Sequence, residues 1–522
     1  MNDKILFWLD GDLTNFGLAN FLQEAYPSKF FAIVDITDRV KSFFKSQKLV
    51  KFEKTWYYHD HVLPKTKLDL EYLSNFEKKY NIDLWLLALN ERLFYRFNLF
   101  HKFTRNEILS ILEQECKMFE TILNEVKPNF LIMKVTDLHH NQLFYQMCRS
   151  QGINVMMLEQ SRFGYKCLIT QERDQIDYVS SFTDVQYTDK TFENMQNFLK
   201  KNNLSAQLNT HTKEYRTSKL KKMFAAFNFL FISTNSNIKT HYTYFGRTKL
   251  KVLKIALRDA IIEKYREIFI NNNLKKEINE KTSFIYFPLH QEPERVLLIG
   301  SPFYTNQVET IRHIAKSLPP NYKLFVKEHP TQTIRGWHEI DFYKKILEIP
   351  NVEFFHPSVS SENLMKKSSL VITVGGTSGL EATFYQKPSI IFADMGYEIL
   401  PSVHRIKCIT ELPNAIKISL EKIVKSNDLA KYIKIIEKNS FEFDYFGFQI
   451  EYGNYFYFGG HLADVEISEE KMKSFLEDHR SILEQISFID FPGYKSSFKI
   501  TLDKSIKPAI ITPLTVNINT QT

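Results

Sequence analysis

Residues 370–394 read LVITVGGTSGLEATFYQKPSIIFAD, and this stretch decides the fold. Leu370 to Val374 is an apolar run of strand length, Gly375 and Gly376 form a turn, a helix begins at Thr377 or Ser378, and SIIFAD is a second strand. A strand that turns through glycines into a helix brings backbone N–H groups and hydroxyls to the positive end of the helix, an arrangement that binds phosphate. Thr377 or Ser378 is expected to cap the helix, and Glu381 either to complete the cap or to reach a sugar hydroxyl. The bland reading of the same residues is a capping box in a tight turn.

The alternation continues on both sides. Upstream lie SFIYFPLH, the short run RVLLIG, the amphipathic helix VETIRHIAKSL, the strand YKLFVKEHP, the helix FYKKILEI and the strand VEFFHP. The first 35 residues repeat the plan as KILFWLD, GDLTN, FGLANFLQEAY and KFFAIVDI, and a further unit runs from PNFLIMKV to NVMMLEQ. Strands alternating with helices imply parallel sheets covered on both faces. The expected fold is α/β and GT-B-like, with two doubly wound Rossmann-like domains facing a cleft, a helical insertion and C-terminal helices. The expected divisions are an N-terminal domain over 1–190, a helical basic segment over 191–280, a C-terminal nucleotide-binding domain over 281–430, and helices with a frayed tail over 431–522. Ligands of such sheets bind at the carboxyl ends of the strands, here between the domains.

With 522 residues, 43% apolar and 25% charged, the chain can bury several cores and is neither a disordered tail nor a disulfide scaffold. Its richness in Phe (45) and Tyr (26) carries no chemistry by itself. The four cysteines, Cys116, Cys148, Cys167 and Cys408, lack metal or redox spacing and read as reduced thiols. Asp10 and Asp12 interrupt any secretory apolar stretch, and no window suits a spanning helix, so a cytoplasmic protein is expected. Net charge is +8, yet residues 213–258 hold eleven Lys and Arg against Glu214 alone. That segment carries +10 and leaves the remainder slightly acidic. With the apolar run MFAAFNFLFI inside it, the segment reads either as a face for an anionic membrane surface or as a solvated basic face. Nucleic acid is not expected, because no binding motif accompanies the charge.

Two further motifs sit at strand ends. LFVKEHP places Lys327, Glu328, His329 and Pro330 at the edge of the sheet that holds Gly375, and a His beside a Lys can hydrogen-bond or protonate a departing phosphate. A lone His there is also a common solvated or capping residue. YFPLHQEPER carries His290, Gln291, Glu292 and Glu294, with Gln307 at the start of the next helix.

In this order, PLHQEPE, LPPNYKLFVKEHP and VGGTSGLEATFYQKPSIIF resemble the carboxyl-terminal domain of the capsule polysaccharide biosynthesis family, which includes Kdo transferases of GT-B type. The resemblance covers residues 284 to about 410, and more faintly KPNFLIMK and GINVMMLEQSRFG with Arg162 on the acceptor side. It implies a metal-independent glycosyltransferase that moves a sugar from a nucleotide-sugar donor, commonly a CMP sugar, to an oligosaccharide or lipid-linked glycan, with no cofactor. It also implies phosphate contacts from His329-Pro330 and Thr377-Ser378. The family's acceptor base is a carboxylate of the amino-terminal domain; Asp10 and Asp12 are the candidates by position, with Asp137 and Glu159 as others, and the bland reading of Asp10 and Asp12 is that they merely shape the first turn. LFWLDGDLT also fits the DxDxT strand of haloacid dehalogenase phosphatases and a metal-binding DxD, though no further acidic ligands follow at a strand end. A nucleotide-sugar 2-epimerase on the same plan and a non-catalytic assembly factor are the remaining alternatives.

Overall fold

A computed structural model describes residues 3–36, 38–62, 67–177, 182, 185, 190–202, 219–232, 241–278, 282–332 and 336–487. Two sheets organise them. The first has five parallel strands in the order β3 (Lys54–Tyr57), β2 (Lys29–Val34), β1 (Lys4–Leu9), β4 (Phe130–Lys134) and β5 (Asn154–Gln160); the antiparallel β6 (Lys166–Thr170) and β13 (Phe441–Glu442) extend it. The second is parallel throughout, in the order β12 (Val403–Arg405), β11 (Ser389–Ile391), β10 (Leu370–Thr373), β7 (Phe284–Pro288), β8 (Lys323–Lys327) and β9 (Val352–Phe355). Both are Rossmann-like.

The strands are continuous apolar runs because helices cover both faces: Leu6, Phe7 and Trp8 are fully buried, as are Ile285, Tyr286 and Phe287. In each sheet the chain first builds outward on one side and then crosses to the other. The crossing falls between β1 and β4 in the first sheet and between β7 and β10 in the second. At such a point the two neighbouring loops diverge and leave a crevice beyond the carboxyl ends of the strands.

The chain returns to the first sheet after leaving the second. Helices Tyr445–Phe456, Glu469–Asp478 and Arg480–Ser487 bury Phe448, Phe456, Phe475, Leu476 and Leu483 in one core with Phe16, Phe21 and Leu22 of helix Thr14–Ala25. Gly17 is needed there, since a Cβ would stand 2.9 Å from Leu483 Cδ1. Conversely, helix Phe192–Lys201 packs Met195 and Leu199 against Leu380 and Phe384 beside the second sheet. The short run RVLLIG forms a single turn of π-helix over Val296–Gly300. Of the basic segment, residues 213–218 and 233–240 lie outside the described residues, as do the side chains of Lys219 and Lys222; the frayed tail from 488 onward lies outside them too.

Candidate active site

The two crevices face each other across a cleft of about 1070 Å³ that residues of both sheets line. From the second sheet come His290 beyond β7, Lys327 at the end of β8 with His329 and Pro330 beyond it, and Gly375 to Ser378 beyond β10; from the first come Asp10 and Asp12 beyond β1, Lys134 at the end of β4 with Asp137 beyond it, and Glu159 near the end of β5 with Arg162 beyond it. The loops around His329 and Gly376, expected to share one crevice, both line it.

The second-sheet side is built to hold negative charge. Lys327 is only 2% exposed, and no side-chain hydrogen bond reaches its ammonium among the described residues. Burial pulls its pKa down to about 8, with Glu328 opposing, so the charge survives at neutral pH. An ammonium buried beside an open cleft is costly unless an anion enters. Burial also lowers His329 to about 4, so its ring is neutral. The Thr331 N–H donates to His329 Nδ1 (3.3 Å), which leaves the proton on Nε2 and makes that nitrogen a donor.

Helix Thr377–Phe384 supplies the third element. Its N-cap is Gly376 with no side-chain cap, contrary to the expected capping by Thr377 or Ser378. Glu381 turns back to Thr377 instead, and desolvation in its half-buried position lifts it above the usual carboxylate range. The glycine N–H groups are not open either: Gly375 donates to His290 Nε2 (3.3 Å) and Gly376 to Thr373 Oγ1 (3.2 Å). The glycines serve close packing, because a Cβ on Gly375 would stand 2.7 Å from Ala393 Cβ and 2.9 Å from Val296 Cγ1. The free dipole end therefore belongs to the N–H groups of Thr377 and Ser378.

His290 is a positioning residue as much as a lining one. Its Nε2 accepts from Gly375, so Nδ1 carries the proton and faces Glu294 at 3.6 Å. Glu292 and Gln307, expected in the site, do not line the cleft. They are buried behind it: Gln307 Nε2 donates to Glu292 Oε1 (2.8 Å), Gln307 Oε1 accepts from the His290 N–H (2.7 Å), and Glu292 pairs with Arg96 (2.9 Å). They hold the His290 loop in place.

Asp10 and Asp12 separate on the first-sheet side. Asp12 is saturated, accepting from Thr14, from Tyr445 Oη (2.7 Å) and from Gln449 Nε2 (3.0 Å). It is an anchor for two helices and has no lone pair left for an acceptor, which corrects its assignment as a base. Asp10 is buried, pairs with Lys134 (2.7 Å), and is pushed up to about 6 by burial against the opposing pull of Lys134. Asp137 binds Asn141 (2.8 Å) and stays low: burial raises it, but Lys134 and the Asn141 hydrogen bond outweigh that. Glu159 is raised to about 7 by burial and by Asp174, whose backbone N–H donates to it (2.9 Å). Arg162 lines the cleft but is paired with Asp174.

Sequence reasoning passed over Lys134, Arg173, Tyr445 and Gln449. Lys134 had a usable signal, since it ends an apolar strand just as Lys327 does. The others arrive through β6 and the returning helices, for which no local pattern exists.

Fold and site together define an α/β protein of GT-B-like plan, with a cleft that carries Lys327 on its second-sheet side and buried carboxylates on the other. Residues 167–400 match the family model of the capsule polysaccharide biosynthesis proteins, so the resemblance carried by the motifs holds over that span. No curated protein sequence matches the chain. Among solved structures, the chain is similar to the UDP-GlcNAc 2-epimerase of Methanocaldococcus jannaschii, at 13% identity over 84% of this chain and 99% of that one, with a TM-score of 0.23. It is also similar to the beta Kdo 2,4 transferase of KpsC from Thermosulfurimonas dismutans, at 12% identity over 59% and 87%, with a TM-score of 0.28. Likenesses of this size say nothing about activity.

Proposed function

We propose that the protein is a glycosyltransferase that moves a sugar from a nucleotide-sugar donor, a CMP sugar among the candidates, to a growing capsular or other surface polysaccharide. The observation that carries this reading is the buried, unneutralised Lys327 beside His329 and the uncapped start of helix Thr377–Phe384, all on one side of the cleft. Donor phosphates fit there. The ammonium, the His329 Nε2–H and the helix end would stabilise charge that grows on the leaving nucleotide, which suits departure without a metal.

Across the cleft, Asp10 has the attributes of the acceptor base. A carboxylate titrating at about 6 is ionised at neutral pH yet basic enough to take the hydroxyl proton as the sugar transfers. Lys134 keeps it oriented. The reading treats the nucleotide sugar as substrate, needs no cofactor, and sets the reaction in the cytoplasm at the inner face of a membrane, where lipid-linked glycans are extended. No described helix is long and apolar enough to cross a membrane.

A second reading has one observation in its favour. Asp10 and Glu159 both have raised pKa values in the same cleft, and a pair of proton-carrying carboxylates is what sugar epimerisation uses. One experiment divides the two. The protein is incubated with CMP, UDP, GDP and dTDP sugars, with and without a lipid-linked glycan acceptor. Acceptor-dependent release of free nucleotide is expected from one donor; return of an epimerised nucleotide sugar with no release would overturn the transferase reading.

A further inference from the structure

Apolar exposure on this molecule is concentrated in one place. Twelve of the 23 exposed large apolar side chains among the described residues fall between residues 220 and 268. Half of them, Leu250, Leu253, Leu257, Ile261, Tyr265 and Ile268, form a single stripe along helix Lys249–Asn273, with Leu250 80% and Leu257 68% exposed. The other six, including Phe224 and Phe231, stand on the neighbouring helix Lys219–Phe227 and the turn Asn228–Ile232, which Lys249 joins by donating to Leu230 O (2.8 Å). The stripe is not a core face, since Ile270 is the one residue this helix buries. An apolar patch of this extent marks an interaction site.

Its charge and its geometry identify the partner. Residues 247–258 carry Arg247, Lys249, Lys251, Lys254 and Arg258 with no acid; Lys254 and Lys264 emerge at the surface beside the stripe, and so does Arg258, paired with Asp259 (2.7 Å). The five intervals from Leu250 to Ile268 average 3.6 residues, the period of a straight helix. Such a stripe runs parallel to the axis and can meet a flat surface along its length. At about 1.5 Å per residue the helix is some 37 Å long, yet it is too polar to span a bilayer.

We propose that helix Lys249–Asn273, with residues 220–232 beside it, docks the protein on an anionic phospholipid bilayer, lying in the plane of the headgroups. This rests on and deepens the reading that the protein works at a membrane face, because docking also orients the cleft. Thr243 and Tyr244, a few residues before the helix, line the cleft, and Arg247 lies 5.1 Å over the Phe100 ring and 6.0 Å over that of Tyr244. A glycan attached to a membrane lipid would thus reach the cleft from the docked side.

The test is vesicle co-sedimentation of the full chain, without any sugar, so that its outcome is independent of the transferase reading. Vesicles of phosphatidylcholine with one-third phosphatidylglycerol should retain the protein, vesicles of phosphatidylcholine alone should not, and binding should weaken as salt rises from about 0.1 M to about 1 M and the Debye length falls from ~10 Å to ~3 Å. The double variant Leu253→Glu with Leu257→Glu should bind at least roughly tenfold more weakly, and Lys254→Glu with Arg258→Glu should lose the preference for the anionic lipid. Both pairs are exposed, so unchanged melting temperatures should confirm intact folds. Failure of the wild type to bind anionic vesicles, or equal binding by the variants, would overturn the proposal. So would sedimentation showing a dimer that Leu253→Glu with Leu257→Glu converts to monomer while vesicle binding stays the same.

Discussion

At the scale of single residues, the site depends on what burial does to charge. Lys327 is held in a place that favours the neutral amine, and only a bound anion relieves it. Lys327→Met should therefore fold at least as well as the wild type while donor kcat/KM falls by about a hundredfold or more, read by nucleotide release. His329→Ala should lower turnover sharply, within roughly the 10²–10³-fold range of a lost hydrogen-bond donor to developing charge, with a melting temperature close to the wild type. Full activity in either variant would contradict the assignment. Asp10 gives a pH signature. Its folded pKa of about 6 lies above its ordinary 3.8, so the base form is lost as pH falls through 6, and kcat/KM should drop on that limb. Linkage runs the other way for stability: between 3.8 and 6 the folded state binds the proton more tightly, so Asp10 stabilises the fold below 3.8 and that contribution disappears as pH rises through 6. Asp10→Asn removes the proposed base, so turnover should fall by roughly 10²–10⁴-fold and whatever activity remains should lack the acid limb.

At the scale of elements, the strand-turn-helix around Gly375 is the joint that sets the phosphate end of the cleft. Gly375→Ala places a methyl 2.7 Å from Ala393 Cβ, and that neighbour has no side-chain freedom to yield. A loss of about 1–3 kcal/mol in unfolding free energy, measured by denaturant titration, is expected, with a weakened donor response. On the other wall, Tyr445→Phe removes a donor from the half-buried Asp12 and should cost about 1 kcal/mol with the acid limb of the pH profile in place. The two elements differ in how far they could be read from sequence. LVITVGGTSGLEATF announces itself because an apolar strand, two glycines and a helix start are contiguous. The partnership of Asp12 with Tyr445 spans 433 positions and has no local signal. For the same reason β6, β13 and the three-residue β12 went unread, and Glu292 and Gln307 were placed in the cleft when they bind each other behind it. Hydrogen-bond saturation is a property of the fold, and a spacing pattern cannot show which carboxylate is already satisfied.

At the scale of the molecule, two parallel sheets turn their crossing points toward each other, and the chain stitches them by returning helices from the end of the second to cover the first. Arg96 reaches Glu292 and the Thr305 carbonyl from the first half, and Arg295 reaches the Thr136 carbonyl from the second, so polar contacts tie the two halves together beside the cleft. The alternation of strands and helices made both sheets legible from the sequence; that helix Phe192–Lys201 would side with the second sheet, and the helices after Tyr445 with the first, was not. The claim on which everything turns is that Lys327, His329 and the start of helix Thr377–Phe384 together grip a donor's phosphate. Titrating the panel of nucleotide sugars against wild type and Lys327→Met while following the melting temperature tests it directly, since a ligand at about 100 times its Kd adds about 2.7 kcal/mol to the folded state. A rise with at least one donor that disappears in Lys327→Met is predicted; an equal rise in both proteins, or none with any donor, would contradict it.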